Sequence, residues 1–351
     1  MRVLRGLHNI TASHRGCVAT IGNFDGVHRG HQAILQQCRE HAARLGAPLA
    51  VVVFEPQPRE FFAGDQAPPR LTRLREKVRL LRRQGVDQVL CLPFNEALRS
   101  LTGREFIDRV LLAGLGVKHL VVGDDFRFGC DRQGDFALLE SVGRECGFGV
   151  EHTRSFEIEN QRVSSTRVRT LLASGNFCAA ARLLGRPYSL DGRVVRDQQL
   201  GRTIGAPTAN LPLLPRPLAL RGVFAVVAER EDGARYAGVA NVGFRPTVGG
   251  TKRPTLEVHL FDFDGDLYGR RMTVIPCARL RGEVKFADFQ ALKNQIARDQ
   301  AAARRYLAAT SLNTDSALPL ASAPLEGQAA LSDPFSLDSS SAGNAADAND
   351  G

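Results

Sequence analysis

The first 185 or so residues alternate short apolar runs with longer stretches of helical spacing. CVATI (17–21), LAVVVF (49–54), QVLCL (88–92) and HLVV (119–122) are continuously apolar, the pattern of strands covered on both faces. Between them, Ile34, Leu35, Cys38, Ala42 and Leu45 keep a helical period, as do Leu71, Leu74, Val78 and Leu81. Strand–helix alternation of this kind predicts a parallel, doubly covered α/β sheet. The second helix lies in RLTRLREKVRLLRRQG (70–85), whose basic residues are expected to form a solvated face opposite the leucines rather than a nucleic-acid surface.

From about residue 186 the texture changes. GRVV, GVFAVVAE, ARYAGVANV, TLEVHLFDF and RMTVIPCA are β-rich runs separated by Gly and Pro clusters. They predict a small antiparallel barrel or sandwich. ADFQALKNQIARDQAAARRYLA then reads as a closing helix, and the Ala/Ser/Asp/Asn-rich remainder is expected to be disordered. The expected domains are 1–185, 186–309 and a tail, 310–351.

Charge and cysteine content narrow the setting. The 351 residues carry a formal net charge of +9, which favours anionic partners. Seven scattered cysteines without a CxxC pair fit a reduced cytoplasm better than a disulfide framework or a zinc site. The N-terminus has no apolar signal core, and no run approaches the roughly 20 residues of a membrane helix.

The densest candidate chemistry is GNFDGVHRGH, Gly22 to His31, directly after the first predicted strand. Ligands of open α/β sheets bind at this edge. Gly22 and Gly26 let backbone N–H groups approach an anion, and a helix starting near His28 adds its positive N-terminal potential. His28 and His31 share one helix face and suit a triphosphate, although a metal pair, a cap or a core role stays open. RVSSTRVRTLL (162–172) adds Ser164, Ser165 and Thr166 at another helix start, flanked by Arg162, Arg167 and Arg169. VVGDDFRFG (121–129) brings Asp125, able to meet a metal or a ribose, and Phe126 and Phe128, which equally suit packing. No GxxxxGK[ST] and no GxGxxG occurs, so P-loop and dinucleotide readings fall away.

The β-rich half carries GRTIGAPTANLPL (201–213). Thr208 and Asn210 offer hard oxygen ligands for Mg²⁺, and Gly201 and Gly205 permit close approach to phosphates. Taken alone, these residues read more readily as an ordinary Gly/Pro turn with an Asx motif. In TLEVHLFDFDGDLYG, Leu256, Val258 and Leu260 face one side of a strand while Glu257 and His259 face the other. Glu257 is a candidate base or a solvent-facing glutamate. Asp262, Asp264 and Asp266 miss the spacing of a calcium loop, and a hairpin turn is expected there.

Together these motifs resemble bacterial bifunctional riboflavin kinase/FMN adenylyltransferases. GNFDGVHRGH is similar to the HxGH signature of nucleotidyltransferases, VSSTRVR to their second motif, and FEPQPREFF (54–62) and GDDFRFG complete the adenylyltransferase half. PTAN, the strand glutamate before DLYG, GVANVGFRPTVGG (238–250) and LRGEVKF (280–286) resemble the kinase half. The family commonly has a bulky residue where Ala206 stands. The resemblance covers residues 14 to about 307. It implies a Rossmann-like HxGH domain followed by a six-stranded barrel, with riboflavin phosphorylated to FMN and FMN adenylylated to FAD.

For the sites, the resemblance implies that His28 and His31 stabilise the ATP phosphates within a loop of Gly22, Asn23, Phe24, Asp25 and Gly26. Asp125, Arg162, Ser165, Thr166 and Arg169 complete that site. Thr208 and Asn210 hold Mg–ATP, Glu257 deprotonates riboflavin, and Arg281 and Glu283 bind flavin. Riboflavin, FMN, FAD, ATP and Mg²⁺ are the expected small molecules, with no membrane or nucleic-acid partner. The alternatives are a single-activity nucleotidyltransferase of the same superfamily and a flavin-binding regulator with decayed catalysis. Intact candidate residues in both halves argue against each.

Overall fold

The computed structural model describes residues 1–153, 156–196, 207–213, 217–246 and 252–310. Gly201, Gly205, Ala206 and the tail beyond Thr310 lie outside these residues.

The N-terminal half is built on six parallel strands: β1 (Arg2–Arg5), β2 (Val18–Ile21), β3 (Leu49–Phe54), β4 (Gln88–Leu92), β5 (His119–Val122) and β6 (Gly149–His152). Their order is β1-β4-β3-β2-β5-β6. The connecting helices are α1 (Arg29–Leu45), α2 (Pro58–Ala63), α3 (Leu74–Arg83), α4 (Glu96–Arg99), α5 (Gly103–Phe106) and α6 (Phe136–Cys146), with α5 widening into π-helical turns over Ile107–Leu115. Residues of one strand alternate between two cores. Ala19, Ile21, Ala50, Val52, Leu90, Leu92, Leu120 and Val122 pack on the α5 side, against Phe106, Ile107 and Val110. Val18, Val51, Val53, Val89, Cys91 and Val121 pack on the side of α1 and α3, with Leu35, Cys38, Leu80 and Leu81. Double coverage is why these strands read as unbroken apolar runs.

A two-stranded ribbon, β7 (Glu157–Ile158) and β8 (Gln161–Arg162), leads to α7 (Ser165–Ala173) and α8 (Phe177–Leu184). The second sheet follows, with β9 (Leu190–Arg193), β10 (Ala209–Pro212), β11 (Gly222–Arg230), β12 (Arg235–Pro246), β13 (Lys252–Leu260) and β14 (Arg271–Arg281) in the order β10-β13-β12-β11-β14-β9. An antiparallel bridge from Val195 to Asn210 brings the two edges together, giving a nearly closed six-stranded barrel. Strand β11 shows the two-sided pattern. Phe224, Val226 and Ala228 point into the barrel, whereas Val223, Ala225 and Val227 meet Ala303 and Leu307 of the closing helix α9 (Phe289–Ala309). Asp288 caps that helix by accepting from the Ala291 N–H at 2.7 Å.

Helices α7 and α8 belong to both halves. Val168, Leu172, Phe177, Ala180, Leu183 and Leu184 share one apolar cluster with Leu211, Phe224, Leu256 and Val258 of the barrel.

Two expectations are corrected. The segment between β13 and β14 is not a hairpin, because β14 pairs with β11 and β9 rather than with β13. It is a crossover past two strands. The basic face of α3 is not wholly solvated either. Lys77 is fully buried, and the Arg70 side chain, just ahead of the helix, is 8% exposed. Both turn toward the carboxylates that follow β2 and β3.

Candidate active sites

The strand order reverses direction between β2 and β5, and the loops after these two strands carry GNFDGVHRGH and GDDFRFG. This is the switch point at which open α/β sheets form a ligand crevice. The first loop is tightly coiled, with positive φ at Phe24 (46°), Gly26 (83°) and Val27 (42°). A Cβ on Gly26 would sit 2.9 Å from Leu71 Cδ1, so glycine is needed there for space as well as for backbone angle.

Asp25 anchors this coil from within. Its carboxylate is 2% exposed and accepts from the N–H groups of Leu71 and Thr72 and from Thr72 Oγ1, all at 3.0–3.1 Å. Arg169 Nη2 donates to it at 2.6 Å, and Arg169 Nε donates to Pro69 O at 2.6 Å. The Gly26 N–H donates to Thr72 Oγ1, Ser165 Oγ to Asp25 O at 2.9 Å, and Arg186 Nη2 to Gly26 O at 2.8 Å. Three other segments of the chain therefore fix one loop.

His28 is the N-cap of α1, and its Nδ1 accepts from the His31 N–H at 3.3 Å. That bond assigns the remaining proton to Nε2. The two imidazoles stack at 3.6 Å, and Phe24 lies 4.8 Å beyond His31. Burial pushes the His28 pKa down to about 4 and holds His31 well below its ordinary value, so both rings are neutral near pH 7 in the ligand-free chain. A Cβ on Gly30 would meet Val163 O at 3.3 Å, which places the start of α1 directly against the start of α7. Two helix N-termini thus face one crevice, an arrangement suited to an anion. Ser164 caps α7, and Thr166 is exposed in its first turn. Arg162 Nη2 and Asp125 Oδ1 meet at 3.2 Å across the mouth, both largely exposed.

The barrel holds a second constellation. Asn210 of β10, Glu257 of β13 and Asn241 of β12 are direct cross-strand neighbours and form one row. Asn210 is 6% exposed, and its Oδ1 is buried without a hydrogen-bond partner. Thr208 stands two residues before it, half-buried. Glu257 is half-buried between the buried Leu256 and Val258, and His259 Nδ1 meets Pro207 O at 2.9 Å. Arg281 is clamped to Asp299 of α9 by contacts of 2.8–3.1 Å. Glu283 is exposed and lies over Gly243, where a Cβ would come within 2.2 Å of its Oε1.

Comparison with known proteins names the two halves. A sequence model described as FAD synthetase matches residues 10–167, and one described as riboflavin kinase matches residues 184–307. A bifunctional riboflavin kinase/FMN adenylyltransferase from Pseudomonas fluorescens is 56% identical over 304 residues, 87% of this chain and 97% of that protein. The chain belongs to this family. A member bearing the same name from Escherichia coli strain K12 is 50% identical over 311 residues, 88% of this chain and 99% of its own length. Among solved structures, a Streptococcus pneumoniae protein named as a macrolide-efflux protein aligns with a TM-score of 0.71 at 31% identity. It covers 86% of this chain and 98% of that one. No helix among the described residues here is long and apolar enough to cross a membrane.

Several groups around the family's HxGH loop carried no clear sequence signal. Lys77 is fully buried, its Nζ has no hydrogen-bond partner, and it lies within electrostatic reach of Asp25, Glu55 and His31. Burial pushes its pKa down. His31 Nδ1 and Gln57 Nε2 are likewise buried and unpartnered. Arg70 is held by Glu55 at 2.6 Å and by Glu60. One cue existed for Lys77: it falls on the apolar stripe of Leu74, Val78 and Leu81, where an ammonium is out of place.

Proposed function

We propose that the chain makes FAD from riboflavin in two ATP-dependent steps, each on its own half. The barrel phosphorylates riboflavin to FMN, and the α/β half joins FMN to the adenylyl group of ATP. The observation that carries this reading is the presence, in one chain, of a two-helix anion crevice and a separate Asn210–Glu257 row, each inside the matching family segment.

In the α/β half, the ATP triphosphate lies over the starts of α1 and α7. Its negative charge raises the His28 and His31 pKa values, so both imidazoles gain protons as the nucleotide binds. Lys77, buried without a partner, supplies a further fixed charge. An oxygen of the FMN phosphate forms a bond to the ATP α-phosphorus, the bond from that phosphorus to the bridging oxygen breaks, and pyrophosphate leaves. The residues position and neutralise charge, and none forms a covalent intermediate. Arg169 acts mainly by holding Asp25, and through it the loop, while Ser165, Thr166 and Arg162 line the crevice.

In the barrel, Glu257 accepts the proton of the riboflavin 5′-hydroxyl as that oxygen bonds to the γ-phosphorus and ADP leaves. The orphaned Asn210 Oδ1 suits a hard cation, and Asn210 together with Thr208, two residues before it, would hold Mg²⁺. The ion would neutralise charge on the transferred phosphoryl group. A reduced cytoplasmic setting fits seven free cysteines.

The test is chromatography of flavins after incubation with riboflavin, MgCl₂ and ATP. FMN followed by FAD is expected. Unchanged riboflavin together with unchanged added FMN overturns the reading.

A further inference from the structure

Away from both crevices, three elements aim ligand-type atoms at one point. His41 comes from α1, His119 from the first position of β5 and Glu151 from β6. His41 is 13 positions beyond the N-cap His28, about 20 Å along the helix. The imidazoles of His41 and His119 stack at 3.7 Å with 15° between their planes. Both Nε2 atoms face the same carboxylate oxygen: Glu151 Oε2 lies 2.6 Å from that of His41 and 3.6 Å from that of His119. One ligand atom from each residue falls within 4.8 Å of the others.

The support around the three is fixed. Gln37 Nε2 donates to the other carboxylate oxygen of Glu151 at 2.6 Å and to His152 O at 3.1 Å. His119 fits only because its cross-strand neighbour is Gly149, where a Cβ would fall 2.2 Å from His119 Nδ1. The two imidazole side chains are 13% and 15% exposed, and His119 Nε2 is buried without a hydrogen-bond partner. His119, with its pKa pushed down by burial, is in the neutral form that ligates. A plain imidazole–carboxylate pair accounts for His41 and Glu151 but leaves the His119 nitrogen unsatisfied.

We propose that His41, His119 and Glu151 form a site for one divalent transition-metal ion of the zinc type, clamping α1 to β5 and β6. Two imidazoles and a carboxylate are a common ligand set for such ions, with a water completing the tetrahedron. Bonds of about 2.0–2.1 Å at the tetrahedral angle separate ligand atoms by about 3.3 Å. The His41–Glu151 contact must therefore open by less than 1 Å, and the half-exposed Glu151 has room to do so. Ligation through Nε2 requires the single His41 proton to pass from Nε2 to Nδ1, and Arg44, which donates to Nδ1 at 3.0 Å in the metal-free chain, swings outward as that nitrogen becomes a donor.

The test uses the full chain, stripped with a chelator and titrated with Co²⁺. One equivalent should bind with the intense visible absorption of a tetrahedral site, and Zn²⁺ should displace it and raise the Tm. His119→Ala and Glu151→Gln, the latter nearly isosteric, should each weaken Co²⁺ at least tenfold and abolish the Zn²⁺-dependent Tm rise, with both flavin activities retained. Failure to bind Co²⁺ at equivalence, or equal affinity in both variants and the parent, overturns the proposal.

Discussion

Asp25 and Arg169 are 144 positions apart in sequence and meet at 2.6 Å, the carboxylate 2% exposed. One belongs to the loop after β2 and the other to α7, so this pair ties the two segments proposed to hold ATP into a single body. Removing the carboxylate strands the guanidinium and frees the Leu71 and Thr72 N–H groups at once. Asp25→Ala should cost about 3–5 kcal/mol in urea unfolding, the range for breaking a buried pair from one side. Near-wild-type unfolding would show that the pair is dispensable to the fold.

His28 links stability to pH. Its pKa is about 4 in the folded chain against an ordinary 6.5, so the unfolded state binds the proton first. Stability is therefore complete above about pH 6.5 and is lost as pH falls toward 4, by about 3 kcal/mol in all. His28→Asn, which keeps a cap, should flatten that part of the stability–pH curve. In calorimetry, ATP binding to the parent should take up protons, seen as a dependence of the apparent enthalpy on the buffer.

Lys77 sets stability against function. An ammonium buried without a partner is costly to the ligand-free fold. Lys77→Met should raise the denaturation midpoint and lower kcat/KM for FMN adenylylation by about tenfold to a hundredfold, leaving riboflavin phosphorylation intact. A loss of stability without loss of adenylylation would contradict this role.

The two halves should fail separately. Glu257→Ala should abolish FMN formation while added FMN is still converted to FAD. His31→Ala should do the reverse. Loss of both activities in either folded variant would refute the division of roles.

The central strands and α1 were legible because burial on both faces leaves unbroken apolar runs, and because the cap and period of α1 are local. The edge strands β1 and β6 were not, since each is only partly buried and RVLR is half arginine. The motif loops announced their chemistry, but the inward role of Asp25 did not, because its partners Leu71, Thr72 and Arg169 are distant in sequence. The crossover after β13 was misread for the same reason: which strand β14 joins is decided by tertiary pairing, not by the turn residues. Lys77 was hidden among arginines of like charge.

The apolar cluster shared by α7, α8 and the barrel bears on how the chain could be divided. A cut between Gly185 and Arg186 would fall at the end of α8, leaving Leu172, Phe177, Ala180 and Leu184 bare on one fragment and Leu211, Phe224 and Leu256 underfilled on the other. Each piece would then carry an adhesive face in place of a finished surface. Freeing either catalyst as a stand-alone protein would require that face to be rebuilt with polar residues, so the packing itself favours keeping both in one gene product.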